Sequence, residues 1–117
     1  DEAVTTVLHL LARAHLPNRS VEYMDNRVSL YAAQYGKCAV TGKVLWIDEI
    51  HCHHKKPISQ GGTDEYKNFI IIHIDVHKLI HATNAETIQA YLDKIKPSKT
   101  QLDKINKLRV LAGNSAI

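Results

Sequence analysis

The stretch that decides the fold is His51-Cys52-His53-His54-Lys55-Lys56-Pro57, because it opens a segment unusually dense in histidine. Six of the eight histidines lie in this segment, at positions 51, 53, 54, 73, 77 and 81. A glycine-containing turn, Ser59-Gln60-Gly61-Gly62, and then Asn68 separate the first three from the last three. Imidazole is the commonest metal ligand and the usual general base near neutral pH. A cluster of this density therefore indicates chemistry on a metal ion.

The composition is that of one globular domain of 117 residues, with 44% hydrophobic and 23% charged residues. No apolar run approaches the roughly 20 residues that a membrane helix needs, and no secretory signal is visible. The formal charge of +3 permits a nucleic-acid partner. Two cysteines are too few for a disulfide framework, so we expect a reducing, intracellular setting. Because the first residue is Asp, we expect the chain to be a piece of a longer protein.

Apolar periodicity and capping residues predict the order of the elements. We expect a first helix that ends near His15 and a second helix from Asp25 or Asn26 to Gly36. A strand at 44–50 and a return strand at 69–72 should follow. The chain should then form a helix at 74–82 and two capped helices that follow residues 83 and 98. The second helix is expected to turn Tyr35 inward. The predicted fold class is therefore α+β, with a short antiparallel hairpin and a helix flanked by further helices.

The spacing of the histidines allows a metal site. His77 and His81 are four residues apart, so both rings project from one face of a helix, as in metal-binding HExxH helices. Adjacent residues of an extended segment point to opposite sides, so His53 and His54 cannot easily bind one ion. We expect one of them to be a ligand and the other a free base. Three imidazoles would leave positions on the ion open for water and a phosphate oxygen.

Two other interpretations of these residues stay open. The first is a closed structural zinc module, although its usual second cysteines are missing, with Thr41 and Val76 at the corresponding positions. The second is a set of unrelated surface histidines.

His53-His54-Lys55-Lys56-Pro57, Gly61-Gly62, Asn68, His77 and His81 together resemble the HNH endonuclease motif, over about residues 38–82. This resemblance implies the ββα-metal fold. The doubled histidine is also similar to the nuclease domains of DNase colicins. A wider likeness, over roughly residues 18–111, is to the C-terminal DNA endonuclease domain of bacterial group II intron-encoded reverse transcriptase/maturases. Its motifs here are Asp25-Asn26-Arg27-Val28-Ser29-Leu30-Tyr31, Cys38-Ala39-Val40-Thr41-Gly42, His51-Cys52-His53-His54-Lys55-Lys56-Pro57, Gly61-Gly62-Thr63-Asp64-Glu65-Tyr66 and Asp75-Val76-His77-Lys78-Leu79-Ile80-His81-Ala82-Thr83.

The resemblance implies a role for each residue of the motif. His54 would be the general base that takes a proton from the attacking water, and Asn68 would brace the loop that holds His54 in orientation. His77 would bind the catalytic ion, and His53 would stand where many members have an acidic ligand. His81 would be a third ligand, as in the colicin-like variants. The expected catalytic residues are thus His54, Asn68 and His77, and the expected metal ligands are His53, His77 and His81.

The resemblance further implies a phosphodiester hydrolase that nicks one strand of DNA and leaves a 5′-phosphate and a 3′-hydroxyl. The family's working ion would be Mg²⁺, whereas an all-nitrogen ligand set favours Zn²⁺, Ni²⁺ or Mn²⁺. Expected partners are the DNA substrate, the intron RNA and the reverse transcriptase domain, in the bacterial cytoplasm near the nucleoid. Candidate phosphate contacts are Lys55, Lys56, Lys67 and Lys78. The chain would divide into an N-terminal helical segment at 1–36, the core at 37–83 and a C-terminal helical hairpin at 84–117.

The chain departs from the family in the zinc knuckle that many members carry. Cys38, Cys52 and His73 leave open a remodelled zinc site, and His51 is a spare ligand, a phosphate contact or neither. The alternative function is a non-catalytic, zinc-stabilised nucleic-acid-binding module. A bacteriocin-like nuclease with an acidic immunity partner is a third reading, which the helices after residue 82 disfavour.

Overall fold

The computed structural model describes all residues, 1–117, and has the predicted α+β class. In chain order the elements are α1 (Glu2–Arg13), α2 (Val21–Ala33), β1 (Ile50–His54), β2 (Phe69–His73), α3 (Ile74–His81), α4 (Ala85–Ile95) and α5 (Lys99–Leu111). Short 3₁₀ turns at Ile47–Glu49, Ile58–Gln60 and Tyr66–Asn68 connect them. None of the helices combines the length and apolarity needed to cross a membrane.

The two strands form an antiparallel hairpin that orients the first three histidines. His51 pairs with Ile72, His53 with Ile70 and His54 with Phe69. Because side chains alternate along a strand, His51 and His53 share one face and His54 points to the other.

The strand β2 runs directly into α3 at His73. The Nδ1 atom of His73 accepts the backbone N–H of Asp75 at 2.9 Å, which caps the helix. No residues connect β2 to α3, because the strand ends at His73 and the helix begins at Ile74. The helix α3 packs over the hairpin and brings His77 and His81 close to β1. The return strand and this helix were predicted within a residue of their observed bounds.

Eighteen buried residues form one hydrophobic core. The hairpin and α3 supply its centre, and α1, α2 and α5 pack around them. Arg109 of α5 is 3% exposed, and its Nη1 donates to the backbone oxygens of Leu79, at 2.6 Å, and Ala82, at 2.8 Å. These bonds satisfy carbonyls that a helix end otherwise leaves unpaired, so α5 fixes the C-terminal turn of α3.

The strand predicted at 44–50 is wrong. Only Ile50 of that segment belongs to a strand, and β1 instead consists mainly of the histidine stretch. Glu49 turns the chain before it, because its Oε1 accepts the backbone N–H of Trp46 at 2.8 Å. In this segment Leu45 is buried, whereas Val44 and Trp46 are each 44% exposed, so the high β propensity of the segment does not lead to strand pairing.

The start predicted for the second helix is also wrong. Ser20 is the cap of α2, and its Oγ accepts the backbone N–H of Tyr23 at 2.9 Å. Asn26 lies inside the helix, and its side chain donates to the backbone oxygen of Asp64 at 2.8 Å. Tyr35, predicted to face inward, is 77% exposed beyond the helix end. Helix α2 is therefore tied to the loop between the two strands.

Candidate metal centre

Three histidines from β1 and α3 bring their ring nitrogens together. The donor atoms of His51, His53 and His77 all lie within 4.8 Å of one another. The His51 ring stacks on the His77 ring, with 3.5 Å between centroids. Donors on one tetrahedral ion stand about 3.3 Å apart, so small ring rotations would close this set around an ion.

His81 lies at the edge of the same group. Its ring centroid is 4.6 Å from that of His77 and 5.2 Å from that of His53. The shared helix face predicted for His77 and His81 is therefore observed. The structure also brings His51 into the group, a residue whose role the sequence left open. We call His51, His53, His77 and His81 the imidazole cluster.

The imidazole cluster is electrically neutral near pH 7. Burial is the main cause that lowers the pKa of His51 to about 4, and of His53 and His77 to about 3. Burial, and then the charge of Arg109, also lower the pKa of His81. Metal binding requires the deprotonated ring, so these nitrogen lone pairs are available without displacing a proton.

One buried atom gives the clearest test of whether a metal fits. His53 is 1% exposed, and its Nε2 is buried without any hydrogen-bond partner. A buried polar atom left unpaired costs about 1–3 kcal/mol, so such atoms call for a ligand. A divalent ion on the imidazole cluster would satisfy it, and the donor set fits an ion of the Zn²⁺ or Ni²⁺ type.

His54 lies apart from the imidazole cluster, on the opposite face of β1. Its ring packs against Phe69 at 4.6 Å and Tyr23 at 5.9 Å between centroids. Its Nε2 lies 2.7 Å from Oδ1 of Asp64. The His54 side chain has no other hydrogen bond within the chain. The predicted separation of His53 and His54 onto opposite sides is thus observed.

Asp64 is a residue of the site that sequence reasoning missed. Besides His54, its side chain accepts the hydroxyl of Ser20, while its backbone oxygen accepts the side chain of Asn26. The hydrogen bond from Ser20, followed by that from His54, lowers its pKa, so the carboxylate stays ionised. The signal in the sequence is weak, because an acidic residue after a Gly-Gly turn is ordinary, and only α2 reveals its partners.

Asn68 braces the loop between the strands. Its side-chain amide accepts the backbone N–H of Lys56 at 2.9 Å and donates to the backbone oxygens of Lys56 and Thr63 at 3.0 and 2.8 Å. It has no hydrogen bond to His54. Since Thr63 precedes Asp64, Asn68 orders the loop that carries this carboxylate.

The predicted phosphate contacts fall into two places. Lys55, Lys56 and Lys67 line a cavity of about 410 Å³ beside the Gly61-Gly62 turn. Lys78 lies on α3, where its Nζ is 5.8 Å from the ring centroid of Tyr91.

The residues considered for a remodelled zinc site do not assemble one. Cys38 Sγ accepts the backbone N–H groups of Thr41 and His73, each at 3.4 Å. The His73 ring caps α3, and Cys52 is buried in the core. The sole group of three metal-capable side chains in the chain is His51, His53 and His77.

Acidification is expected to destabilise the metal-free protein through this site. The pKa of His53 is about 3 when folded, against about 6.5 when unfolded. Below pH 6.5 the unfolded chain therefore binds the proton first, so stability is complete above that pH and falls toward pH 3. His53 alone would cost about 1.4 kcal/mol per pH unit in this window.

Urea unfolding in EDTA at pH 7 and pH 5 measures this loss. His53→Gln, which cannot titrate, should retain about 2 kcal/mol more of its pH 7 stability at pH 5 than the wild type does. Equal pH dependence in the two proteins would show that His53 does not contribute to the loss, which would then come from the other histidines of the imidazole cluster.

Comparisons with known proteins agree with the position of this site. Residues 36–83 match the family model HNH endonuclease. No curated protein and no solved structure gave a match. The matched segment contains the hairpin, the loop with Asn68 and all of α3, so it includes every residue of the imidazole cluster. The hairpin and helix are consistent with the ββα-metal core expected from the sequence, and the match suggests a nuclease-related or nucleic-acid-related function.

Proposed function

We propose that this chain is a metal-dependent DNA endonuclease, and that its imidazole cluster holds the catalytic ion. The observation that carries this proposal is the buried, unpartnered Nε2 of His53 at the centre of the imidazole cluster, within the segment that matches the HNH endonuclease model. In a closed hydrophobic core this nitrogen would stay unpaired at a cost in free energy, whereas an ion bound to the imidazole cluster would pair with it.

The proposed roles follow the geometry of the hairpin. His53 and His77 hold the ion, and the third ligand is His51, which the donor geometry favours, or His81, which the resemblance favours. A bound divalent ion supplies Lewis-acid stabilisation of the phosphate and of the departing 3′ oxygen.

His54 carries out the proton transfer, and Asp64 orients its ring. The ionised carboxylate of Asp64 accepts a hydrogen bond from Nε2–H of His54, and this tautomer leaves Nδ1 as the acceptor. Nδ1 then takes a proton from the attacking water as the general base. Asp64 is a positioning residue in this scheme, and Asn68 keeps its loop in place.

In its finer form, the proposal is that the domain nicks one strand of a DNA target for group II intron mobility. The motifs at residues 25–31, 38–42 and 75–81 support it through their similarity to intron-encoded reverse transcriptase/maturases. Intron RNA and a reverse transcriptase domain would then be partners, Mg²⁺ the working ion, and the bacterial cytoplasm the setting. Residues 37–83 would carry the chemistry, between the helical segments 1–36 and 84–117.

Nicking of a supercoiled plasmid tests the function. We expect weak, sequence-unselective conversion to the open circle with at least one of Mg²⁺, Mn²⁺, Ni²⁺ and Zn²⁺, and none in EDTA, because hydrolysis requires the ion. The products should carry 5′-phosphate and 3′-hydroxyl ends, which a ligase can reseal. Activity that persists undiminished in EDTA, or its absence with every ion, would contradict the proposal.

A non-catalytic, zinc-stabilised nucleic-acid-binding module is the second candidate, and the four rings of the imidazole cluster favour it, since four nitrogens can close a tetrahedral ion completely. It predicts that metal removal unfolds the chain. The catalytic proposal predicts a folded protein in EDTA, because eighteen buried residues form the core without the ion. Circular dichroism in EDTA and in Zn²⁺, beside the plasmid assay, separates the two.

A further inference from the structure

A second cavity opens beside the imidazole cluster, between the α1–α2 connection and the start of β1. Its volume is about 290 Å³, and Arg19, Tyr23, Arg27 and His51 contribute to its lining. No acidic residue lines it. We call these four residues the arginine pocket. His51 belongs both to this pocket and to the imidazole cluster, so the two sites adjoin.

The guanidinium group of Arg27 is suited to bind an anion. Its Nε and Nη2 are buried and have no hydrogen-bond partner in the chain. A guanidinium is always charged and offers five N–H donors, and leaving such donors buried and unpaired is costly. Its planar fork matches the oxygens of a phosphate or carboxylate. These two nitrogen atoms offer three N–H donors to a ligand that comes from outside the chain.

Arg19 adds a second positive charge at the mouth of the pocket. Its guanidinium carbon lies 4.5 Å from the ring centroid of Tyr23, so it stacks on that ring. Tyr23 in turn packs toward His54. The lining of the arginine pocket thus includes His51 of the imidazole cluster and also Tyr23, whose ring packs near the proposed base.

We propose that the arginine pocket binds a backbone phosphate of the DNA strand, next to the phosphate at the imidazole cluster. The pocket has charge complementary to a phosphodiester, buried donors on Arg27 to fix it, and a shared wall with the imidazole cluster through His51. It anchors the strand and needs no metal ion. The inference rests on the proposed function for the identity of the ligand as DNA.

Metal-free DNA binding tests this site. A short labelled duplex is titrated with the folded protein in EDTA over a series of salt concentrations, and fluorescence anisotropy gives the affinity. Arg27→Gln is expected to weaken binding about tenfold and to lower the magnitude of the log–log salt slope by about 0.9, the value for one phosphate contact. Arg27→Lys keeps the charge without the fork, so it should keep the slope and lose part of the affinity.

Arg13→Gln is the matched control, because Arg13 is exposed at the end of α1 and removal of its charge changes the net charge equally. It should bind as the wild type does. Equal losses in Arg13→Gln and Arg27→Gln, or wild-type affinity and slope in Arg27→Gln, would overturn the inference. If circular dichroism shows that Arg27→Gln is unfolded, Arg27→Lys decides, and wild-type affinity in that variant overturns the inference.

Inorganic phosphate alone separates a free anion from DNA as the ligand. If it occupies the pocket, seen as a shift of the Arg27 Nε–H resonance, while DNA binding is indifferent to Arg27→Gln, the pocket takes a free anion and the inference fails. All binding is measured in EDTA, so it does not depend on catalysis. If the protein never nicks DNA but binds it through Arg27, the proposed function is wrong and the proposed phosphate site is still supported.

Discussion

Replacement of His54 by alanine is expected to lower the nicking rate about 10²–10⁴-fold, the usual contribution of a general base. Metal affinity should not change, because the His54 ring lies on the face of β1 opposite the imidazole cluster and pairs with Asp64. Initial rates on supercoiled plasmid, together with calorimetric titration of Ni²⁺, measure both quantities. His9→Ala is the matched control, since His9 is an exposed histidine on α1.

Full activity of His54→Ala would remove His54 from the base position, and loss of its metal affinity would make it a ligand instead. Asp64→Asn tests the positioning role of the carboxylate separately. This variant should slow nicking without weakening metal binding. The ¹⁵N resonances of His54 should also lose the single tautomer, protonated at Nε2, that the carboxylate selects. An unchanged tautomer beside a slowed rate would mean that Asp64 acts otherwise.

His53→Gln is expected to have the largest effect on the ion. The variant should bind Ni²⁺ or Zn²⁺ more than about a hundredfold more weakly, since even partners one shell further out typically contribute 10–100-fold. Nicking should disappear in parallel. Glutamine keeps much of the buried volume, so the metal-free fold should survive, as circular dichroism can verify. Wild-type metal affinity in His53→Gln would exclude the imidazole cluster as the metal centre.

The same titration identifies the histidine that supplies the third nitrogen ligand of the ion. His51 completes the tightest group of donors in the structure, whereas the resemblance to colicin-like nucleases favours His81. A larger loss of affinity in His51→Gln than in His81→Gln would assign the position to His51, and the reverse would assign it to His81.

Much of the fold followed from local patterns in the sequence. The change from a two-residue to a helical period after Ile72 located β2 and α3, and it placed His77 and His81 on one helix face. Alternation along an extended segment separated His53 from His54. The first strand was misplaced because the residues at 44–50 have high β propensity, while the strand that forms is rich in histidine and gains its stability by pairing with β2.

The residues that sequence reasoning missed share a dependence on long-range contacts. Asp64 meets His54 and Ser20 only because α2 packs on the loop between the strands. His51 was left undecided because its donor role depends on the stacking of its ring on His77. Arg27 reads as an ordinary helix residue until its buried, unpaired donors are seen. None of these contacts has a fixed spacing that a single sequence could display.

Whether the imidazole cluster holds the catalytic ion is tested by one titration of metal-free protein in which ion binding and plasmid nicking are followed together. We expect the nicking rate to rise in proportion to bound metal, to saturate at one ion per chain, and to return to zero when EDTA removes that ion. Nicking that is independent of occupancy, or a fully occupied site that never nicks DNA with any of the four ions, would contradict it.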